Sequence, residues 1–368
     1  MADVIRITKT ERFYIREKEI ILYRVLMDTF CIGKKVYDLA GNAFQIAAFE
    51  TYKPDAKETS IMLKRINGSK EVVGNILLKE RNAISFLFCS HPLYEKRVDE
   101  DFEQEYQEAA KEHACALFSY EDLETGKLSL RGKISGLTVY RGWMMRPEMY
   151  ERFYALLKER GIVLINTPEE YSRYHLLPNW YEDFKNETAE SVWTSDASLE
   201  SVLSVSKDLK GPYIIKDYVK SRKHEWYDAC FIRDISDKER LLKTAGNFIQ
   251  RQGEDLVGGV VLRKFEPLKQ TGYHPKSGMP LSEEYRVFIY AGKIMVIDAY
   301  WNKDSGSALS EKEYHWVESV AARVKSNFVT VDLARKENGN LMIMEFGDGQ
   351  VSGLQQLNPT EFYSFFNK

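Results

Sequence analysis

Phe328-Val329-Thr330-Val331-Asp332-Leu333-Ala334 and Leu341-Met342-Ile343-Met344-Glu345-Phe346 are two apolar runs separated by a segment that contains Asn338-Gly339. Asn-Gly between two such runs is a strong hairpin signal, so the pair reads as two antiparallel strands. Asp332 lies on one strand, and Glu345 and Asp348 follow the turn on the other. Pairing therefore brings the three carboxylates toward one end of a sheet, with Gln350 beside them. Hard oxygen ligands in that arrangement suit Mg²⁺. Two such acids alone are more often solvated strand ends, and it is the set of three in Glu345-Phe346-Gly347-Asp348-Gly349-Gln350 that points to a metal.

Carboxylates of this kind become informative when cations lie opposite them, because phosphoryl transfer needs both, together with an apolar slot for a base. Upstream, Gly211-Pro212-Tyr213-Ile214-Ile215-Lys216 ends an apolar strand in a lysine, where an ammonium is partly desolvated. The following loop, Val219-Lys220-Ser221-Arg222-Lys223-His224-Glu225-Trp226, is basic and lacks glycine, so side-chain cations and not backbone amides would have to cover phosphates. Alone, that loop reads as a solvated surface segment. Arg286, in Glu284-Tyr285-Arg286-Val287-Phe288, lies on a hairpin turning at Ala291-Gly292, where a lone strand arginine is usually a surface ion pair.

Outward from this segment the chain divides into three. Residues 1–80 read as short strands, Val4 to Ile7, Arg12 to Ile15, Ile21 to Leu26, Ala43 to Phe49, Ser60 to Arg65 and Val72 to Leu78, with turn signals between them. This β-rich module has no cluster of catalytic residue types and is expected to serve interaction with a protein partner or substrate presentation. It contributes no expected ligand, so a chain starting near Asn82 should still bind nucleotide unless the cut exposes a large apolar interface. Residues 81–200 read as an α/β unit. Ile84 to Cys89 is a buried strand, Asp99 to His113 a charged helix, Pro147 opens another helix that Gly161 ends, and Thr167-Pro168-Glu169-Glu170 is a capping box. Residues 201–368 carry the chemistry, with a helix over Asp237 to Gln250, a run Val260 to Phe265, a hairpin of Glu284 to Tyr290 with Lys293 to Trp301, and a helix capped by Ser310.

Composition bounds the rest. In 368 residues, 52 Lys and Arg face 55 Asp and Glu, which gives a net charge of −3 and no global pull toward nucleic acid or an anionic membrane. No apolar run approaches the ~20 residues that cross a bilayer, and the charged N-terminus is unlike a signal peptide. A cytoplasmic location is expected. The 4 cysteines have no paired spacing, and the 6 histidines form no triad with Ser or Cys, His224 being the one to watch.

The order Pro-x-x-x-Lys, apolar strand Val260-Val261-Leu262-Arg263, Glu-x-Arg, Asp, then Glu in the closing hairpin resembles the ATP-grasp superfamily. More narrowly, Lys216 to Trp226 and Gly347-Asp348-Gly349-Gln350-Val351-Ser352-Gly353-Leu354 resemble its clade named for an arginine and two lysines. The likeness covers about Phe86 to Leu354, including Tyr140-Arg141-Gly142-Trp143. It implies an α/β (α+β) ATP-grasp fold with a Rossmann-like pre-grasp domain, to which the N-terminal module is additional. It also implies ATP and Mg²⁺ as cofactors, with Lys216 on the α- or β-phosphate and either Lys220 or Lys223 as the second lysine. Val261 and Leu262 would face the adenine, with Arg263 on the same linker and Glu266 reaching the ribose. Arg286 would meet the γ-phosphate and its acceptor, and Asp332 and Glu345 would hold the metal. Where the superfamily commonly has Asn two residues after that glutamate, this sequence has Gly347, so Asp348 or Gln350 is expected to substitute.

The activity implied is amide formation. A carboxylate attacks the γ-phosphate and an amine then captures the acyl phosphate, so no nucleophilic side chain is required. A second reading directs the same site to an RNA or other nucleic-acid end, held by the basic loop and aromatic residues. A third makes the chain an ATP sensor or adaptor whose N-terminal module recruits a partner.

Overall fold

A computed structural model describes residues 4–15, 17–26, 31–50, 57–81, 83–273, 280–300 and 308–367. Six strands come first: β1 (Val4–Ile15), β2 (Lys18–Leu26), β3 (Lys35–Asp38), β4 (Ala43–Phe49), β5 (Glu58–Asn67) and β6 (Ile76–Leu78). They close into a barrel in the order β1-β2-β5-β4-β3-β6. Alternate side chains point inward, so Ile5, Ile7, Tyr23, Val25, Val36, Phe44, Ile46, Ile61 and Leu77 fill the interior. The expected strands at Val4 to Ile7 and Arg12 to Ile15 are one strand, bulged against β2 between Ile7 and Lys9. Only the last three residues of Val72 to Leu78 are strand. Before them Val73 N donates to Asp38 Oδ2 at 2.8 Å and Gly74 has φ +77°, a turn that regular pairing does not allow.

The second sheet has the order β11-β10-β7-β8-β9, built from β7 (Ile84–Cys89), β8 (Cys115–Phe118), β9 (Leu130–Arg131), β10 (Gly136–Arg141) and β11 (Ile162–Leu164). All its pairs are parallel except β8 with β9. All six residues of β7 are buried, as befits a strand covered on both faces. Between the strands run α1 (Glu103–Ala109), α2 (Tyr120–Glu124) and α3 (Pro147–Lys158). Pro147 stands in the first turn of α3, and Gly161, at φ +74°, takes the turn back to β11. The expected capping box is present: Thr167 Oγ1 accepts from Glu170 N at 3.2 Å, and Glu170 Oε2 accepts from Thr167 N at 2.7 Å. It opens α4 (Pro168–His175), followed directly by α5 (Leu177–Phe184).

Two antiparallel sheets then face each other. The first has the order β12-β15-β13-β14, from β12 (Ser191–Trp193), β13 (Tyr213–Asp217), β14 (Phe231–Ile232) and β15 (Val260–Lys264). With it go α6 (Leu199–Val205), α7 (Trp226–Ala229) and α8 (Lys238–Gln252), the last capped by Asp237, whose side chain accepts from Arg240 N. A hairpin of β16 (Gln270–Tyr273) and β17 (Pro280–Ser282) leads to the second sheet. That sheet, ordered β19-β18-β20-β21, comprises β18 (Glu284–Tyr290), β19 (Lys293–Ala299), β20 (Phe328–Arg335) and β21 (Leu341–Asp348), with α9 (Glu311–Ala321) packed on β19. The expected end of the hairpin at Trp301 lies outside the described residues. Finally α10 (Pro359–Ser364) returns to pack on α1.

One apolar cluster joins the parts. Leu39, Ile76 and Leu78 of the barrel pack with Phe86 and Phe88 of the parallel sheet and with Phe288 and Phe328 of the last sheet. Polar bonds reinforce it: Arg6 donates to Glu170 Oε2 at 3.1 Å and to Leu164 O at 2.8 Å, and Asn327 Nδ2 donates to Asn75 Oδ1 at 2.6 Å. Fully buried Arg141 pairs with Glu105 at 2.8 Å and also donates to the carbonyl of Gly349 at 2.5 Å, tying β10 to the turn after β21. Among the described residues no helix is long and apolar enough to cross a membrane.

Candidate active site

Strand register assembles the charges. Arg286 of β18 lies opposite Asp332 of β20, and Asp332 lies opposite Glu345 of β21. Arg286 grips Asp332 with two parallel bonds, Nε to Oδ1 at 2.8 Å and Nη2 to Oδ2 at 2.7 Å, and its Nη1 donates to Gly353 O at 2.8 Å. From the facing sheet, buried Lys216 at the end of β13 puts Nζ 2.8 Å from Glu345 Oε1. The result is an alternating row, Lys216, Glu345, Asp332, Arg286, across the gap between the two sheets. Burial alone would push the Glu345 carboxyl up, but Lys216, Lys223 and Arg263 outweigh it and hold it below the ordinary glutamate range. Arg286 is likewise penalised by burial, yet Asp332 raises its affinity for the proton above that of a free guanidinium.

The basic loop owes its shape to Asp217, a buried residue that sequence reading passed over. Its Oδ1 accepts from Val219 N at 2.7 Å and Lys220 N at 2.5 Å, while Oδ2 accepts from Gln252 Nε2 at 3.1 Å. This turns the chain so that the two candidate second lysines serve different spaces. Lys223 lines a cavity of about 400 Å³, where burial opposes its charge but Glu284, Tyr300 and Glu345 together keep it protonated above the usual lysine range. Lys220 lines a separate, more open cleft of about 790 Å³ with Gly353, Trp143 and Leu354. The loop is also less basic than its composition implies, because Arg222 Nε donates to Glu225 at 2.7 Å. His224 is exposed and its ring lies 3.2 Å from Glu225, away from the row of charges. Buried His175 is the histidine near Lys216, Lys220 and Glu345, and burial pushes its ring down to about 4, so it is neutral at physiological pH.

The 400 Å³ cavity supplies an apolar slot. Its walls include Trp226, Phe231 and Phe265, with Leu281 packed beside them, and Met342 and Met344 also line it. Trp226 and Phe231 stack at 5.2 Å, and Phe265 meets Phe231 edge-on at 5.2 Å. These aromatics were missed because no periodic pattern separates them from core residues. The signal available was Phe265 immediately after the apolar strand and Trp226 at the end of the basic loop.

Several expected positions differ. Val261 and Leu262 do not line the cavity: β15 is an interior strand, so both are fully buried in the packing on either face of the sheet. The lining begins at Arg263 and continues through Lys264, Phe265 and Glu266. Glu266 is held by Lys336 at 3.1 Å on the cavity wall. Asp348 is not brought together with Asp332 and Glu345. It points to the opposite face of β21, where it is fully buried and accepts from Asn166 Nδ2 at 2.6 Å and Gln350 N at 2.9 Å. There burial raises its carboxyl to about 6. Gln350 is equally buried, donating to Tyr150 OH at 2.7 Å and accepting from Tyr140 N at 3.2 Å. Neither can therefore stand in for the missing asparagine. At Gly347 itself a Cβ would come within 2.9 Å of both Ser352 Oγ and Thr330 Oγ1, which fill that space. Among the described residues no group of three or more His, Cys, Asp and Glu is arranged to hold a metal alone. The carboxylates that remain together are two, Asp332 and Glu345, a set that suits a cation completing its shell with water and phosphate oxygens.

Comparison with known proteins bears on the fold. Residues 204–364 match the model of an ATP-grasp domain family, the third family of the clade named for an arginine and two lysines. No curated protein matches the sequence. Among solved structures, the D-alanine-D-alanine ligase from Coxiella burnetii aligns with a TM-score of 0.50 and 9% identity, over 77% of this chain and 92% of that one. D-alanyl-alanine synthetase A from Vibrio cholerae aligns at 0.49 with 12% identity, over 77% of this chain and 96% of its own. The ATP-grasp ligase PsnB, solved with a minimal precursor, Mg and ADP, aligns at 0.46 with 11% identity, over 78% and 97%. At these identities the likeness is one of fold.

Proposed function

Because the chain belongs to the ATP-grasp superfamily of ATP-dependent ligases, with a domain of the arginine-and-two-lysines clade at residues 204–364, we propose that it forms an amide between a carboxylate and an amine by way of an acyl phosphate. The observation that carries this reading is the alternating row Lys216, Glu345, Asp332, Arg286, which adjoins an aromatic-walled cavity through Lys223. The base of ATP fits the cavity lined by Trp226, Phe231, Phe265, Met342 and Met344. Lys216 and Lys223 then stand where the phosphates leave the slot, and Arg286 stands at the far end of the row, toward the cleft that Lys220 and Gly353 line.

Asp332 and Glu345 fit Mg²⁺ as two carboxylates opposite each other on adjacent strands. Bound there with the nucleotide, the ion would neutralise charge on the phosphate oxygens. The cations of this chain do the rest electrostatically. Lys216 and Lys223 offset the charge of the phosphates, while Arg286, clamped by Asp332, presents a fixed guanidinium to the transferring group and the attacking carboxylate. The acceptor amine approaches from the open cleft. Carboxylate oxygen attacks phosphorus, ADP leaves, and the amine nitrogen then displaces phosphate from the acyl carbon and loses a proton to give the amide.

The test is incubation of the protein with labelled ATP, Mg²⁺ and pools of peptides and metabolites. ADP, phosphate and a product heavier by the mass of an amine less water are expected. AMP and pyrophosphate would point instead to nucleotidyl transfer onto a nucleic-acid end, and binding without turnover under any acceptor would point to a sensor.

A further inference from the structure

Strand β21 carries one residue more than the strand it faces. Asp332 pairs with Glu345 and the next residue, Leu333, pairs with Ile343, so Met344 has no partner in β20. Such a bulge frees ladder groups and redirects the adjoining side chain, and bulges recur beside active sites for that reason. Here the adjoining side chain is Glu345.

Arg263 takes up what the bulge releases. Its Nη2 donates to the carbonyl of Met344 at 2.8 Å, to that of Ile343 at 3.3 Å and to Thr188 Oγ1 at 2.7 Å, and its Nη1 donates to Ser191 Oγ at 3.1 Å. Thr188 Oγ1 in turn donates to Ile343 O at 2.7 Å, so the segment just before Glu345 is held from two directions. Arg263 is 3% exposed, and among the described residues every hydrogen bond of its guanidinium goes to a neutral oxygen. Burying a cation among neutral acceptors is costly, and a neutral side chain could have bridged them. Burial draws its proton affinity down to about 10, and the anion whose field most offsets this is Glu345. Arg263 thus reaches from β15 of one sheet to the bulge of the other, directly behind the carboxylate that meets Lys216.

We propose that Arg263 is a positioning residue, which pins the Met344 bulge and so aims Glu345 between Lys216 and Asp332. Metal-dependent nucleotide binding then depends on a side chain that borders the cavity but directs its hydrogen bonds to the segment behind Glu345. This inference rests on the proposed function, in which Asp332 and Glu345 hold the metal.

The experiment is calorimetric titration of a non-hydrolysable ATP analogue into the full chain, with excess Mg²⁺ and with EDTA, for wild type, Arg263→Met, Arg263→Lys and Thr188→Val. Residues behind metal ligands typically govern metal affinity by about 10- to 100-fold. In Arg263→Met the gain in affinity from Mg²⁺ is therefore expected to shrink by about tenfold or more, while affinity in EDTA stays within about threefold. Arg263→Lys keeps the charge without the fork, and Thr188→Val keeps the fork without one hydroxyl, so both should restore part of the gain. A folded Arg263→Met with the full Mg²⁺ gain overturns the proposal. Equal loss with and without Mg²⁺ also overturns it, since that would make Arg263 a direct nucleotide contact. Should Arg263→Met not fold, Arg263→Lys decides, and a full gain there is the overturning result. A wild type that binds no nucleotide would sink the ligase reading itself, an outcome separate from a wild type that binds with a Mg²⁺ gain indifferent to Arg263.

Discussion

Lys216 and Glu345 are 129 residues apart in the chain and 2.8 Å apart in space. Without nucleotide, each is the other's partner, as Arg286 is for Asp332. In the proposed function, nucleotide and metal together offer these groups new partners of opposite sign, phosphate for the cations and Mg²⁺ for the carboxylates. Neither arriving alone satisfies both members of a pair, so ATP and metal should bind with mutual reinforcement.

Removing Lys216 tests the first half of that exchange. In the proposed site, Lys216→Ala deletes a charge-assisted phosphate contact worth on the order of 1.5–3 kcal/mol, so a loss of roughly ten- to more than a hundredfold in nucleotide affinity is expected. Calorimetric titration with Mg-ATP would measure it, and unchanged affinity in a folded variant would remove Lys216 from the phosphate site.

Glu345→Gln tests the other half while nearly preserving shape. The gain in nucleotide affinity from Mg²⁺ should shrink at least as much as in Arg263→Met, by about tenfold or more, while affinity in EDTA changes little because the lysines and the aromatic slot remain. Turnover should drop by about a hundredfold or more, equivalent to roughly 2.7 kcal/mol. ADP release at saturating Mg-ATP, with thermal melting as the folding control, separates the two effects. Equal rates in two folded proteins would mean that Glu345 does not hold a catalytic metal.

Acid sensitivity should trace largely to Glu283. This nearly fully buried carboxylate is resisted by burial but bonded by Lys269 at 2.6 Å, Tyr285 and Arg335 at 2.8 Å, which bring its carboxyl down to about 2. A folded value below the unfolded one means that its contribution is present above about pH 4.5 and is lost as pH falls toward 2. The contribution is on the order of 3 kcal/mol. Urea denaturation at pH 7 and pH 3 should show a smaller difference for Glu283→Gln than for wild type, and an equal difference would assign the acid sensitivity elsewhere.

A chain beginning near Asn82 is expected to be insoluble or to expose apolar surface. The condition under which such a cut should leave nucleotide binding intact is not met, since Leu39, Ile76 and Leu78 of the barrel share a cluster with Phe86, Phe288 and Phe328. In the full chain, Leu78→Ala should cost about 2–5 kcal/mol of stability. Dye binding and melting measure both, and a soluble truncation melting like the full chain would show that the shared cluster matters little.

What the sequence disclosed was whatever is local and periodic. The strands at Ile84–Cys89 and Cys115–Phe118, the caps of α4 and α9, and the turn at Asn338-Gly339 all follow from neighbouring residues. Lys216, Arg286, Asp332 and Glu345 were legible as candidates because charged residues are rare on apolar strands. The meeting of Asp332 with Glu345 was legible too, from the hairpin, but the contacts of Arg286 with Asp332 and of Lys216 with Glu345 were not, since they depend on strands and sheets distant in sequence. Asp348 shows the limit most clearly: along β21 it is three residues from Glu345, and odd spacing puts it on the other face. Met344 lacks a partner in β20, a feature that no composition or periodicity announces. Strands such as β3, four residues long, carry too short an alternation to be recognised.

In the barrel, β6 pairs with β1 on one side and β3 on the other, so the ring of strands is complete. That closure is short, since β6 meets β1 only at Val4, Ile5 and Arg6, and from Lys9 to Ile15 the strand β1 pairs, among the described residues, with β2 alone. The side of β1 turned away from β2 is there an open edge, a row of backbone donors and acceptors to which a strand of another chain can add. Phe13, Tyr14 and Ile15 stand exposed on the same segment. Sequence change there could redirect the choice of partner while leaving the ring, and the cluster it shares with the last sheet, untouched.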